Sequence, residues 1–237
     1  MLRIITDSSS SITQEEARQL GIDVLPLRIS YKDKEYSDTI DINSNKLFSL
    51  MEEKGNENVF PKTSLPFMDK TQDLVEGYTK NGDEVLIITI SSKLSSTFSM
   101  MHAMFAANDK VRVYDSKSAV GGMRLLVLEA LKNKDKNVED IIAALDELSS
   151  RIVILALPAT LDFLLRGGRL KKSAWMLGTL LKLLPIISFK DGQLVSLTKV
   201  IGNNKGIAYI SKYLSENKPD KSFPVIGSFT KEKGNLD

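Results

Sequence analysis

Short apolar segments alternate with amphipathic segments along most of the chain, and this alternation limits the possible folds more than any other feature. The clearest apolar segment is Val85–Ile90, a run typical of a central strand that is buried on both faces. Strand-like segments at Arg3–Thr6 and Val111–Tyr114 are each followed by a helical pattern. Because strands that alternate with helices form parallel sheets covered by helices, we predict an α/β fold with a mostly parallel sheet.

The remaining elements follow from the same patterns. Further strands are predicted at Val24–Tyr31, Ile152–Leu157, Pro185–Phe189, Gln193–Val200 and Pro224–Phe229. Helices are predicted at Thr13–Leu20, Asn43–Lys54, Pro66–Thr79, Thr97–Ala107, Gly121–Leu131, Val138–Leu148, Ser173–Leu183 and about Lys205–Leu214. Asp191-Gly192 is a two-residue hairpin signal.

The sequence pattern changes after Pro158, which predicts two domains. We expect an N-terminal α/β domain over residues 1–157 and a smaller α/β domain over residues 158–237. The chain stops soon after its last predicted strand, before a helix that could cover that strand. The second domain is therefore expected to be incomplete as given.

The composition excludes several classes of site. The 237 residues include no cysteine, which removes disulfides, thiol nucleophiles and thiolate metal sites. His102 is the single histidine, and a net charge of +2 is too small to indicate a nucleic-acid partner. We expect no metal ion, no cofactor and no nucleic acid.

The N-terminus and the longest apolar stretch together favour a cytoplasmic protein. The N-terminus begins directly with a strand-like run, without the basic and apolar regions of a secretory signal. The longest apolar stretch, Trp175–Phe189, is interrupted by Lys182 and Pro185 and is too short to span a bilayer.

Hydroxyl side chains gather where predicted strands meet predicted helices. Four clusters occur, at Thr6–Ser11, Thr63–Pro66, Ser91–Thr97 and Asp115–Ser118. In a parallel sheet such turns share the carboxyl edge, where helix N-termini with free N–H groups favour anionic ligands. Each cluster could also be an ordinary helix cap, but four clusters at one edge favour an anion site.

A methionine- and phenylalanine-rich helix follows the third cluster. Phe98, Met101 and Phe105 are candidates for lining an apolar cavity, because methionine and aromatic side chains adapt to irregular apolar ligands. The alternative is an ordinary core helix. A basic edge at Arg166, Arg169, Lys171 and Lys172 could dock on a protein partner or an anionic membrane surface, or could be a solvated helix end.

At these residues the sequence resembles the DegV family of fatty-acid-binding proteins, which present an acyl chain to a bacterial fatty acid kinase. Five segments match in order: Ile5–Ser8, Pro61–Pro66, Ile90–Phe98, Val113–Ser116 and Leu164–Leu170. The resemblance implies a two-domain protein with a long-chain fatty acid, such as palmitate or oleate, in a buried tunnel between the domains. It implies that a partner kinase phosphorylates the carboxylate and that this subunit is not catalytic.

The resemblance also implies which side chains hold the carboxylate. Thr63 and Ser95 occupy the positions of the family's carboxylate-binding hydroxyls, and Ser64, Ser92 and Ser96 beside them are secondary candidates. This chain differs from the family pattern at two positions. Ser96 stands where the family usually has glycine, and Ile201 stands where it commonly has arginine. The family's histidine-containing C-terminal segment is absent from the sequence.

Two other functions remain open from the residues. The first is an enzyme that acts on a small phosphorylated or carboxylated metabolite at the same sheet edge, with Asp7, Asp115 or His102 as general acid or base. This enzyme would have a short polar pocket, whereas a lipid carrier would have a long apolar tunnel. The second is a regulator that only binds proteins, through the basic segment 166–172, and has no internal cavity.

Overall fold

The protein is described by a computed structural model that covers residues 1–54, 59–170 and 183–228. The chain divides into two compact units, Met1–Ile152 and Val153–Asp237. Pro158, where we predicted the domain boundary, follows this division by a few residues. Element labels below number the helices and strands within the described residues.

A four-stranded parallel sheet organises the first unit. Its strand order is β2-β1-β6-β7, and all three neighbouring pairs run parallel. The strands are β1 (Leu2–Asp7), β2 (Asp23–Leu25), β6 (Glu84–Thr89) and β7 (Val111–Asp115). Four consecutive side chains of β6, from Val85 to Ile88, are completely buried. The predicted parallel sheet with β6 at its centre is therefore confirmed.

Helices cover both faces of this sheet. They are α1 (Gln14–Leu20), α3 (Met68–Lys80), α4 (Thr97–Phe105), α5 (Val120–Lys132) and α6 (Val138–Arg151), and the first unit also contains α2 (Ser44–Glu52). Side chains of Thr13, Asn43 and Asn137 cap α1, α2 and α6 by accepting a backbone N–H from the first turn. Capping residues of this kind explain why these helices begin close to their predicted positions.

The two faces of the sheet carry different cores. Ile5, Val85 and Ile87 pack in one buried cluster with Val75 of α3 and Met101 of α4. Ile4, Leu86 and Ile88 alternate with these residues along the strands, so they point to the opposite face, where α5 packs on β1 and β6. The segments that lead from β1, β6 and β7 into α1, α4 and α5 therefore leave the carboxyl edge of a well-packed sheet.

A second sheet in the first unit was not predicted. It is antiparallel, with order β4-β3-β5, and contains β3 (Arg28–Tyr31), β4 (Lys34–Ser37) and β5 (Lys62–Ser64). The predicted single strand Val24–Tyr31 is wrong, because it is split between the two sheets at Pro26. Proline lacks an N–H for a sheet ladder and fixes φ, which favours the break at this position.

The second unit is built around a hairpin. Its described elements are α7 (Asp162–Arg166), β8 (Leu183–Lys190), β9 (Gln193–Ile201) and α8 (Gly202–Glu216). Asp191 and Gly192 both have positive φ, 49° and 78°, as a tight two-residue hairpin turn requires. The predicted hairpin is therefore confirmed.

Other predictions in this unit fail or lie outside the described residues. Ile152–Leu157 is not a strand, and only Ala156 forms a bridge, to Ile187. Residues 224–228 are irregular where a strand was predicted, and Phe229 lies outside the described residues. The predicted helix Ser173–Leu183 also lies outside them, except that Leu183 begins β8. Within the described residues, no helix is long and apolar enough to cross a membrane.

Candidate functional site

Three of the four hydroxyl-rich clusters lie together at the carboxyl edge of the parallel sheet. They are the turns after β1, β6 and β7, with β6 between the other two strands. The amide of Ser91 donates to the carbonyl oxygen of Ser118 at 2.9 Å, and the hydroxyl of Thr6 donates to the carbonyl oxygen of Ile88 at 2.9 Å. The expected gathering of these clusters is confirmed, and the turn after β6 (residues 91–97, the central turn) is its middle.

Asp7 joins the turn after β1 to the central turn. One carboxylate oxygen, Oδ2, accepts the N–H of Ile90 at 2.8 Å, and the other, Oδ1, accepts the N–H of Ser9 at 3.0 Å together with the Ser9 hydroxyl. Asp7 is completely buried, and this burial raises the pKa of its carboxyl group, while the hydrogen bonds from Ser9 and Ile90 oppose the rise. The Ser9 hydroxyl contacts both the Asp7 carboxylate and, at 3.5 Å, the sulfur of Met123.

Asp115 joins the turn after β7 to the same central turn. Its Oδ1 atom accepts the N–H of Ser92 at 3.0 Å and the N–H of Lys117 at 3.0 Å. Asp115 is half-buried. The two aspartates therefore stand at the ends of the two strands that flank β6, and each accepts one N–H from the segment that follows β6.

The backbone N–H groups of the central turn are already in use. The partners of the N–H groups of Ile90, Ser91 and Ser92 are given above. The N–H of Lys93 donates to the Ser91 hydroxyl, and those of Leu94 and Ser95 donate to the Ser91 carbonyl oxygen. We predicted that free N–H groups at this edge would bind an anion. For residues 90–95 this prediction is wrong, because the turn satisfies its own donors, so a ligand here must be held by side chains.

The hydroxyl of Ser95 has the geometry of a donor toward such a ligand. Its oxygen accepts the N–H of Thr97 at 3.3 Å and lies 2.8 Å from the Thr97 hydroxyl oxygen. Thr97 is completely buried, so donation from Thr97 to Ser95 gives that hydroxyl proton a partner and avoids a buried unsatisfied donor. Both lone pairs of Ser95 are then used, and its own proton remains for an acceptor such as a carboxylate.

The neighbouring serines differ in their exposure. Ser92 is half-buried, whereas Ser96 is exposed at the N-cap position of α4 and makes no capping hydrogen bond with its side chain. The hydroxyls of both residues therefore lie close in sequence to Ser95 without sharing its pair of accepted hydrogen bonds. Their assignment as secondary candidates stays a prediction.

The fourth cluster lies elsewhere than predicted. Thr63 and Ser64 belong to β5, an edge strand of the antiparallel sheet, and do not form a turn of the parallel sheet. Both residues are exposed, and they point to opposite faces of the strand, so only one of them can face a given ligand. This strand was not predicted because β5 contains only three residues and lacks an apolar alternation.

Hydrogen bonds connect β5 to the carboxyl edge through β3. The N–H of Leu27 donates to the Ser8 hydroxyl at 3.1 Å, just after β1 ends. In the next residues of the chain, Ile29 pairs with Thr63, and the Arg28 guanidinium donates to the carbonyl oxygen of Leu65 at 2.9 Å. Thr63 is thus carried on a strand whose partner is anchored beside the turn after β1.

The candidate lining residues lie on one side of α4. Met101 and Phe105 are buried in the core cluster with Val75 and Val111, so they contact protein side chains in this structure. Phe98, one turn earlier and nearer the central turn, is half-buried. His102 is exposed, and its ring lies 5.5 Å from the Phe98 ring.

Asp38 is a half-buried carboxylate near the turn after β1 that sequence reasoning missed. Burial raises the pKa of its carboxyl group, and hydrogen bonding to the Ser8 side chain and to the Thr39 backbone opposes that rise. Its charge also contributes to raising the pKa of Asp7. No local pattern marked it, because Asp38 follows β4, a strand that was itself not predicted.

The basic candidates lie in the second unit. Arg166 ends α7 and Arg169 follows Gly167-Gly168, and both arginines are exposed. Gly168 adopts a positive φ of 74°, which ends the helix with a left-handed residue. Lys171 and Lys172 lie outside the described residues, whereas Ile201 ends β9 and is exposed.

A surface cavity of about 320 Å³ lies away from the hydroxyl-rich edge, between the C-terminal parts of α3 and α4. Its lining includes Glu76, Asn108 and Asp109, together with Met104 and Phe105. Among the residues that the structure describes, no group of three or more histidine, aspartate or glutamate side chains could hold a metal ion.

The fold and site define a class: a two-unit α/β protein whose parallel sheet gathers hydroxyl side chains at its carboxyl edge. The model of the family described as "Uncharacterised protein, DegV family" matches residues 1–235, and the chain belongs to this DegV family. A DegV domain-containing protein of Clostridium acetobutylicum is 33% identical over 98% of this chain and 84% of its own length.

Solved structures agree with this assignment. A fatty-acid-binding DegV family protein of Thermus thermophilus is 30% identical and superposes with a TM-score of 0.79, over 91% of this chain and 77% of that one. A stearic-acid-binding protein of Eubacterium ventriosum is 25% identical, also with a TM-score of 0.79, over 92% of this chain and 78% of that one. The predicted family is therefore confirmed, and so is its two-domain α/β fold.

Proposed function

We propose that this protein binds one long-chain fatty acid in a buried tunnel, with its carboxylate held by Ser95 and Thr63. The observation that carries the proposal is the hydroxyl of Ser95, whose oxygen accepts the N–H of Thr97 and lies 2.8 Å from the hydroxyl oxygen of the buried Thr97. With Thr97 as the donor of that pair, the proton of Ser95 remains for a ligand. A carboxylate is a pure acceptor and matches such a donor. The fatty-acid-binding relatives of Thermus thermophilus and Eubacterium ventriosum support the same ligand class.

Hydrocarbon burial supplies enough free energy for this binding without a cationic partner. A tail of ~15 carbons contributes roughly 12 kcal/mol at about 0.8 kcal/mol per methylene. Loss of translational and conformational freedom offsets a large part of this sum and leaves micromolar or tighter affinity. The hydroxyls then need only satisfy the buried carboxylate, because the tail determines the strength of binding.

The contacts of the candidate acid and base groups favour binding over catalysis. The carboxylates of Asp7 and Asp115 accept backbone N–H groups from two turns each, so both are engaged in holding the carboxyl edge together. His102 is exposed on α4, and its ring lies 5.5 Å from the Phe98 ring at a tilt of 37°. A general acid or base must reach its substrate's proton, and these three groups are occupied elsewhere or face solvent.

We further propose that the protein is a non-catalytic cytoplasmic subunit that presents the carboxylate to a fatty acid kinase. Arg166 and Arg169 are exposed on either side of the glycine pair that ends α7, a position suited to contact an acidic partner or, transiently, an anionic membrane surface. Replacement of both arginines by glutamate is expected to slow phosphorylation of the bound fatty acid by the kinase without changing fatty acid affinity.

Ligand extraction tests the proposal directly. Protein purified from cells is expected to release a fatty acid on solvent extraction, detected by mass spectrometry, and stripped protein is expected to take up labelled stearate. Absence of extracted fatty acid combined with no uptake of the label would contradict the proposed function.

Substitutions test the head-group residues. We expect Ser95→Ala and Thr63→Ala to weaken stearate binding by about 1–3 kcal/mol each, because each removes a hydrogen bond to a charged group. Ser99→Ala is the matched control, since Ser99 is exposed on the same helix and donates its hydroxyl to the carbonyl oxygen of Ser96. Affinity that is unchanged in the double variant would locate the carboxylate elsewhere.

A further inference from the structure

Asp7 and Asp115 make parallel arrangements on the two strands that flank β6. Each aspartate ends its strand, each accepts the N–H of the residue two positions later, and each accepts one N–H from the segment after β6. The residues gripped in that segment are Ile90 and Ser92, on either side of Ser91. The central turn is therefore held from both sides by carboxylates that belong to different strands.

This arrangement is costly to maintain, which indicates that it has a use. Asp7 is completely buried, and neither aspartate forms an ion pair with any residue in the part of the chain that the structure describes. A buried carboxylate without a cation persists only if its hydrogen bonds are well made. Here one hydrogen bond of each aspartate goes to the segment that carries Ser95, and the others go to the aspartate's own turn.

The hydrogen bonds of the aspartates affect the position of Ser95 through Ser91. The N–H of Ser95 donates to the carbonyl oxygen of Ser91 at 3.1 Å, and Ser91 is itself bonded to Ser118 in the turn after β7. A shift of Ile90 or Ser92 would move Ser91 and, with it, the start of the turn that ends at Ser95. The direction of the Ser95 proton thus depends on both carboxylates.

We propose that Asp7 and Asp115 are positioning residues that clamp the central turn from both sides and so set the direction in which Ser95 donates its hydrogen bond. The inference rests on the proposed binding of a fatty acid carboxylate and assigns the two aspartates a role in its recognition. In this role the aspartates act on Ser95 through the backbone N–H groups that they accept, and not through contact with the ligand.

The two aspartates use their oxygens differently, and this difference provides a sharp test. Both donors to Asp115 reach one oxygen, Oδ1, so Asp115→Asn retains an amide oxygen that can accept them. Asp7 uses both oxygens, so Asp7→Asn would set an NH₂ group against the N–H of either Ile90 or Ser9. We expect the asparagine variant to preserve binding at position 115 and to impair it at position 7.

The experiment compares stearate with its methyl ester in the full chain, because the ester keeps the tail but lacks the charged acceptor. We expect the preference for stearate to fall about tenfold in Asp7→Asn, Asp7→Ala and Asp115→Ala. The preference should remain that of the wild type in Asp115→Asn and in the control Asp135→Asn, an exposed aspartate between α5 and α6. General loosening of the fold would instead weaken both ligands equally and would overturn the inference.

Amide hydrogen exchange gives a second measurement that does not require ligand. The Ile90 amide should exchange faster in Asp7→Asn and the Ser92 amide faster in Asp115→Ala, with Asp115→Asn close to wild type. If the Asp7 variants fail to fold, the contrast between alanine and asparagine at position 115 still decides the matter. Wild-type protein that binds no stearate would defeat the proposed function, whereas wild-type selectivity retained in Asp115→Ala would defeat the clamp alone.

Discussion

The central turn and strand β5 carry the two candidate head-group residues, Ser95 and Thr63, on very different supports. The central turn follows β6, the most buried of the described strands, and the N–H groups from residue 90 to residue 95 all have partners. Strand β5 is a three-residue edge strand whose side chains are all exposed. A site made from these two parts combines a fixed donor with an adjustable one.

This contrast suggests a division of labour for the proposed ligand. A fixed donor selects the position of the carboxylate, since little rearrangement is possible around it. An edge strand has backbone groups open to solvent on one side and can move with smaller losses. We infer that Ser95 fixes the head group and that β5 brings Thr63 to it.

The largest expected effect tests how firmly the central turn rests on the core. Met101 lies on α4, the helix that the central turn leads into, and is completely buried in a cluster with Val75 and Phe105. We expect Met101→Ala to lower the free energy of unfolding by about 2–5 kcal/mol, through lost burial and the cavity left behind. Chemical denaturation measures this loss.

Phe98→Ala is the comparison on the same helix, since Phe98 is only half-buried. It should destabilise the fold less than Met101→Ala and weaken stearate binding more, if Phe98 contacts the tail. The reverse order for both quantities would show that the lining face of α4 was misassigned.

The second test concerns the charge of Asp7, whose carboxylate accepts a hydrogen bond from the segment that leads to Ser95. Burial raises the pKa of Asp7 in the folded protein, so the folded chain binds this proton more tightly than the unfolded chain. The stabilisation that this proton gives the fold is therefore complete below the pKa that Asp7 has in the unfolded chain. It is lost as pH rises through the higher pKa that Asp7 has in the folded chain. Ser9 and Ile90 donate to this carboxylate, and Asp38 faces it as a like charge.

Denaturation of wild-type protein and Asp7→Asn between about pH 4 and pH 8 checks this sign. The free energy of unfolding of the wild type, minus that of Asp7→Asn, should decrease as pH rises. A difference that increases with pH would mean that hydrogen bonds hold the pKa of Asp7 below its ordinary value. A carboxyl-carbon titration by NMR would then locate the pKa independently.

These contrasts also show what could be predicted from the sequence. The run Val85–Ile90 identified the central strand because a strand buried on both faces is apolar at every position. The gathering of the turns after β1, β6 and β7 followed from the predicted parallel sheet, since parallel strands end at one edge. Local pattern was sufficient for this half of the site.

The other half depends on contacts between distant segments. Asp7 meets Ile90 across 83 residues, and no local signal distinguishes this carboxylate from an ordinary capping aspartate. Strand β5 exists because Thr63 pairs with Ile29, although Lys62–Ser64 has no strand-like pattern of its own. The split of Val24–Tyr31 had a visible cause in Pro26, which lies inside the segment that we predicted as one strand.

A smaller effect on stability is expected from the hydroxyl of Ser95 itself. Ser95 accepts the N–H of Thr97, the first residue of α4, as a capping side chain does. Ser95→Ala should therefore lower the free energy of unfolding by about 1 kcal/mol, whereas Thr63→Ala should leave it nearly unchanged. Thermal unfolding of both variants without ligand makes the comparison. Equal losses of stability in the two variants would contradict the distinction between a fixed Ser95 and an adjustable Thr63.

The smallest effect on stability, and the most informative about β5, is expected from Thr63→Val. Valine keeps the β-branched shape that suits a strand and removes only the hydroxyl, so the stability of the unliganded protein should change by less than about 0.5 kcal/mol. Stearate affinity should nevertheless fall while affinity for the methyl ester is retained, because the lost group acts on the carboxylate alone. If Thr63→Val binds stearate as the wild type does, then β5 contributes its backbone or Ser64, and Ser95 works without Thr63.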